Sequence, residues 1–176
     1  MILLIIGIIF ISVFGTIFHF LYDLSSHNKI VGLFSSVNES TWEHIKILLT
    51  PTFIWSLIDG LIYGDGVNYF FAKSISLLFI IIIIPLLFYG YSYIFKKNSF
   101  IFDILIFYIV VICSQILFYR LNLINPVNYL VQYLSCIITF IIFGCYLLLT
   151  VMPIKNFLFK DPLTNKYGYY GHDVKK

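Results

Sequence analysis

The sequence predicts an all-α fold, a polytopic transmembrane bundle of about five spans, and three observations predict it. The chain is 61% hydrophobic and only 11% charged, whereas soluble domains carry about 25% charged residues. Its apolar residues come in blocks near or above the roughly 20 residues that cross a bilayer as helix. Runs such as "LLFIIIIIPLLF" do not alternate, which excludes the dyad pattern of a membrane β-barrel. A mean hydropathy of +0.99 agrees.

The first span, residues 2–22, opens "MILLIIGIIFISVF" without a basic n-region or an A-x-A-like cleavage site, so a retained helix is expected rather than a signal peptide. Further spans are expected over 42–63, 68–95, 100–120 and 128–152. "YGDGVN", "KKNS" and "NLINPVN" supply turn chemistry between them. Pro51 and Pro85 lie inside spans and are expected to kink them, each freeing the carbonyl four residues back, at Ile47 and Ile81. Residues 1–152 therefore form the membrane domain and 153–176 a basic cytoplasmic tail. No internal repeat divides the spans. Cys113, Cys136 and Cys145 sit singly among apolar residues and are expected to be packing groups.

Orientation follows from the lysines. One side carries Lys29, Lys46, Lys96, Lys97, Lys155, Lys160, Lys166, Lys175 and Lys176; the other has Lys73 and Arg120. Positive residues stay inside, so the N-terminus is expected outside and the C-terminus in the cytoplasm of a multi-pass cell-membrane protein. The segment 24–41 is too short for a domain and too apolar around "IVGLF" to float free. It is expected to lie in the interface or to re-enter the bundle.

Both ends of that segment are polar. His19 and Asp23, four apart at the end of span one, share a helix face. Span two opens "SSVNESTWEHIK", where Ser36-x-x-Glu39 and Ser40-x-x-Glu43 each fit a capping box. A helix starts once, so only one box serves as a cap. Glu39 and Glu43, at i and i+4, repel when desolvated unless one is protonated or a cation intervenes. Lys46 is one candidate cation and a metal ion is another. His44 points about 100° around the helix from Glu43 and widens the patch, and Trp42 is expected to be an interfacial anchor. "EHIK" is not HExxH, so a zincin is excluded. His19, Asp23, Glu43 and His44 would still suit Zn²⁺ or another divalent ion with one position open for water. Gln115 and Gln132 are expected to join helices, Asp103 to sit at a helix start, and Asp59 and Arg120 to lie near the outer face as candidates for a pair.

The stretch "HFLYDLSSHNKIVGLFSSVNESTWEHIK" resembles the opening signature of an uncharacterised family of small bacterial integral membrane proteins, a domain of unknown function. The motif residues are Tyr22, Asn38, Ser40, Trp42 and Lys46 beside the acids and histidines. "LFKDPLTNKYGYYG" resembles that family's ending, with Asn165 where Gly is usual; either residue suits a left-handed turn. The resemblance implies a polytopic membrane protein, in a bacterial inner membrane, and no activity. "NESTWEH" is also similar to a motif of the progestin and adipoQ receptor family, seven-span proteins grouped with zinc-dependent hydrolases. The five spans expected here and the missing late His-x-x-x-His set this chain apart.

Three functional readings follow. One is a metal-assisted hydrolase acting on a lipid-like substrate, with Glu39 or Glu43 as general base and His19, Asp23, Glu43 and His44 as ligands. The second is a small transporter or channel subunit, although the middles of the spans carry almost no charge. The third is a non-catalytic accessory protein. In each, the bilayer is the first partner, the basic tail attracts anionic lipid, and no nucleic-acid partner is expected.

Overall fold

The computed structural model describes residues 1–172 apart from Asp65, Val67 and Asn98. Parts of the "YGDGVN" and "KKNS" turns, and Lys175 and Lys176 of the tail, lie outside the described residues. Five helices are long and apolar enough to cross a membrane: α1 (Ile2–Leu24), α3 (Thr41–Tyr63), α4 (Tyr69–Phe95), α5 (Phe100–Asn122) and α6 (Tyr129–Val151). Each matches an expected span to within two residues. At 1.5 Å per residue a 23-residue helix is about 34 Å long, enough for the hydrocarbon core. A short helix, α2 (Lys29–Gly32), interrupts the first connection, and a 3₁₀ turn (Gly168–His172) closes the described chain. Among the described residues there is no strand, only an isolated bridge between Lys160 and Tyr167.

Helix α3 is the axis. Over half of its apolar window is buried, against 17% for α1. Helix α1 packs on α3 and α5, while α4 packs on α3, α5 and α6. The core contains Ile11, Leu48, Leu49, Leu77, Ile80, Val110 and Tyr146. The outer faces of α1, α5 and α6 present Ile, Leu and Phe, as a lipid solvent demands.

Small residues set the closest approach of helices. A Cβ on Gly15 of α1 would stand 2.6 Å from Phe107 and 3.0 Å from the Ile47 carbonyl. That carbonyl is the one Pro51 frees, so the glycine of this turn faces the interrupted turn of α3. Both Pro51 and Pro85 lie within continuous helices.

Segment 24–41 turns back into the bundle. The Ser36 amide donates to Phe18 O at 3.2 Å, and the Thr50 hydroxyl donates to Phe34 O at 2.8 Å. Thr50 lies nine residues past the start of α3, about 14 Å along it. The segment re-enters the helical bundle itself, where Ser35 to Asn38 are buried against α1 and α3.

The tail is a folded cap. Phe159 stacks on Trp42 with ring centroids 4.8 Å apart, and Leu158 O accepts the Trp42 amide at 3.0 Å. Asn165 adopts φ +59°, the left-handed turn its place in "DPLTNKYG" predicts. Trp42 is thereby corrected: it is buried, 6% exposed, and covered by the tail rather than anchored at an open interface.

Candidate functional site

The two polar stretches of the sequence meet at the end of the bundle where α1 finishes and α3 begins. Ser40 occupies the N-cap of α3 but makes no side-chain cap bond. Asn38 does the local work instead. Its Oδ1 accepts the Ser40 amide at 2.8 Å, and its Nδ2 donates to Gly168 O at 2.8 Å. Neither capping box forms. Ser36 donates to Asn38 O, and Glu43 turns inward rather than back toward Ser40.

The Glu43 carboxylate accepts the Val37 amide at 3.0 Å and pairs with Lys46 Nζ at 2.6 Å, with both side chains essentially inaccessible. Lys46 also donates to Gly32 O at 2.9 Å and to the Thr150 hydroxyl of α6 at 3.2 Å. The pair thus ties the re-entrant segment, α3 and α6 at one point. Lys46 is indeed the cation beside Glu43. The expected Glu39–Glu43 stack is not formed, because Glu39 precedes the helix and the i, i+4 geometry never applies.

Glu39 stands on the other side of the chain. Its amide donates to Asp161 Oδ1 at 3.1 Å, while Asp161 also accepts the Thr164 amide at 2.7 Å. The buried Asp161 is the turn-former of "DPLTN" and the clamp that holds Glu39. The two fingerprint stretches, 122 residues apart at this bond, are therefore halves of one joint.

Held this way, Glu39 Oε2 lies 3.9 Å from His44 Nε2; their side chains are 44% and 34% exposed. His44 Nδ1 lies 3.0 Å from Ser40 O. A carbonyl only accepts, so Nδ1 carries the hydrogen and the neutral ring presents Nε2 as its lone pair. The His19 ring sits 5.7 Å from that of His44, centroid to centroid. Asp23 is 3.6 Å from His27.

Two cavities meet at Glu39. A polar cleft of about 140 Å³ is lined by His19, Asp23, Asn38, Glu39, Asp161 and Thr164, among others. A narrow apolar groove of about 40 Å³ runs from Glu39, Thr41 and His44 along Leu48, Ile84, Phe88, Ile106 and Phe107, with Asp103 at its side. Asp103 accepts a hydrogen bond from the Tyr91 hydroxyl.

The structure thus divides the sequence-derived set. His19, Asp23, Glu39 and His44 surround the cavities, whereas Glu43, Lys46, Asn38, Ser40 and Trp42 build the joint beneath them. Tyr22 is buried, its ring 5.9 Å from that of Tyr169. Among the described residues no three His, Cys, Asp or Glu side chains converge closely enough to hold a metal ion. The site's own chemistry is that of an imidazole beside a carboxylate. Asp103 and Asp161 were not among the expected site residues. Asp103 is accounted for locally as a first-turn acid, and only the Asp-Pro-x-Thr turn hinted at Asp161.

A second polar centre lies at the opposite end. Lys73 Nζ pairs with Asp59 Oδ2 at 2.6 Å, both buried, and stands 3.9 Å from the Phe118 ring. Tyr69 donates to Asp59 at 2.7 Å. Asp59 therefore pairs with Lys73, not with Arg120. Gln132 donates to Asn68 at 3.1 Å, joining α6 to the start of α4, whereas buried Gln115 Nε2 has no hydrogen-bond partner among the described residues.

These features define a class: a polytopic helical membrane protein whose polar site is built by a re-entrant segment and closed by its own tail. The chain belongs to a family of unknown function (DUF6512), whose model matches residues 2–169. No curated protein and no solved structure matches it.

Proposed function

We propose that this protein binds an amphipathic, lipid-like molecule at the cytoplasmic face of the membrane, and that Glu39 and His44 are the groups that act on its head. The observation that carries the reading is the position of Glu39, which lines both the polar cleft and the apolar groove beside the His44 lone pair. A molecule with a polar head and an apolar chain fits that junction. His44 Nε2 is the general base for a hydroxyl or water of the head, and Glu39 stabilises the imidazolium that results. The lysine bias supports the cytoplasmic assignment.

Elimination supports the same pair. Asn38, Ser40, Trp42, Glu43 and Lys46 are buried in the joint, leaving Glu39 and His44 as the half-exposed polar side chains at the start of α3, with His19 and Asp23 of α1 lining the cleft beside them. The metal-assisted version loses Glu43 to Lys46. A transport path through one copy finds its centre filled by Leu48, Leu77, Ile80 and Val110.

The test is lipid extraction and mass spectrometry of protein purified in mild detergent with a histidine-free tag, beside Glu39→Gln and His44→Gln. One species enriched in the wild type and altered in abundance or chain number in the variants is the expected outcome. Identical lipids in all three samples would reject the reading. Metal analysis of the same samples adds a clear alternative: near one equivalent lost in His44→Gln would restore the metal-assisted version at this site.

A further inference from the structure

We propose that a recess between the end of α6 and the folded tail seats the head group of an anionic phospholipid. The recess has a volume of about 490 Å³ and is lined by Val151, Pro153, Lys155, Asn165, Lys166 and Tyr170, among others. It is separate from the Glu39–His44 cavities and does not depend on their function.

Three observations carry it. The first is charge. Lys155 and Lys166 face one recess from two different segments, and among the described residues neither is in an ion pair. Lysines just past a membrane span attract anionic lipid.

The second is construction. Asn165 N donates to Asp161 O, and Asp161 N donates to Lys166 O, both at 2.9 Å. Asn165 and Gly168 have φ of +59° and +54°, and a Cβ on Gly168 would stand 3.2 Å from Pro153 and from Thr150 O. Lys166 is therefore mounted on a hydrogen-bonded turn pressed against the helix end, not on a free tail.

The third is depth. Val151, Met152 and Ile154 are 57%, 68% and 54% exposed and continue the apolar face of α6 to the rim. A bound lipid lays its chains along that face and its phosphate between the two ammonium groups. Tyr170, 75% exposed at the same level, is the kind of aromatic side chain found at head-group depth.

The experiment is titration of the detergent-purified full chain with dioleoylphosphatidylglycerol and, separately, dioleoylphosphatidylcholine, read by native mass spectrometry. The wild type is expected to prefer phosphatidylglycerol, and Lys155→Gln with Lys166→Gln to weaken that binding about tenfold. Lys155→Arg with Lys166→Arg keeps it. Lys96→Gln with Lys97→Gln, which removes two exposed charges from another loop at the same end, changes it less than twofold. Equal binding of the two lipids, or equal losses from the two Gln pairs, would overturn the proposal by reducing the effect to general surface charge. Displacement of phosphatidylglycerol by equimolar inorganic phosphate would overturn it in favour of a free-phosphate site.

Discussion

Lys46 shows how much one side chain carries. Its ammonium joins Glu43, Gly32 O and Thr150 where its side chain is fully buried. Lys46→Met leaves a buried carboxylate unpaired and is expected to cost about 3–5 kcal/mol. Adding Glu43→Leu to that variant should recover much of the loss, because it removes the stranded charge. Thermal unfolding in detergent reads both, and a double variant as unstable as the single one would refute the account. Trp42 offers a finer contrast. Its Nε1 is buried without a hydrogen-bond partner among the described residues, so Trp42→Phe gives up ring area but also an unsatisfied donor. Trp42→Ala empties the whole site against Phe159, at about 3–5 kcal/mol. The Phe variant should therefore lie much closer to wild type than the Ala variant.

The tail and the re-entrant segment are elements that exist only together. Gly32 shows the fit: a Cβ there would meet Tyr169 at 2.6 Å, Val37 at 2.9 Å and Tyr22 at 3.0 Å. The Tyr169 hydroxyl donates to Lys29 O at 2.7 Å. Burial, helped by the nearby Tyr22 and Glu43, pushes the Tyr169 phenol up to about 12 from an ordinary 10.0. The folded state thus favours the neutral ring. Its contribution to stability is complete below pH 10 and is lost as pH rises from 10 toward 12, where only the unfolded chain readily gives up the proton. Amide exchange at residues 29–40 should accelerate over that window more in the wild type than in Tyr169→Phe. Ending the chain at Lys155 should go further, exposing residues 36–44 to exchange while the five long helices persist. Protection of 36–44 in the truncated chain would show that the cap is dispensable.

At the scale of the molecule, two buried ion pairs stand at opposite ends of an apolar bundle, Glu43–Lys46 and Asp59–Lys73. Lys46 also links α3 to Thr150 of α6, and Asp59–Lys73 links α3 to α4. On the cytoplasmic orientation proposed from the lysine bias, a reporter fused to the C-terminus should be active only in the cytoplasmic format, and one at the N-terminus only outside. The opposite pattern would put the Glu39–His44 site on the outer face.

The sequence alone determined the five spans and the positions of Pro51 and Pro85 inside two of them. It also determined the polar character of both ends of segment 24–41. These depend on block length and local composition, which the bilayer reads one segment at a time. It likewise carried the Glu43–Lys46 contact, since i, i+3 neighbours meet on any helix. Tertiary structure alone decided the rest. That Glu39 stands outside the helix, clamped by Asp161, and that Asp59 chooses Lys73 over Arg120 are choices between partners distant in the chain. So is the burial of Trp42 under Phe159. Spacing along a sequence fixes which side chains share a helix face; which faces meet is settled by packing, because a buried charge or ring takes whichever partner the fold brings within reach.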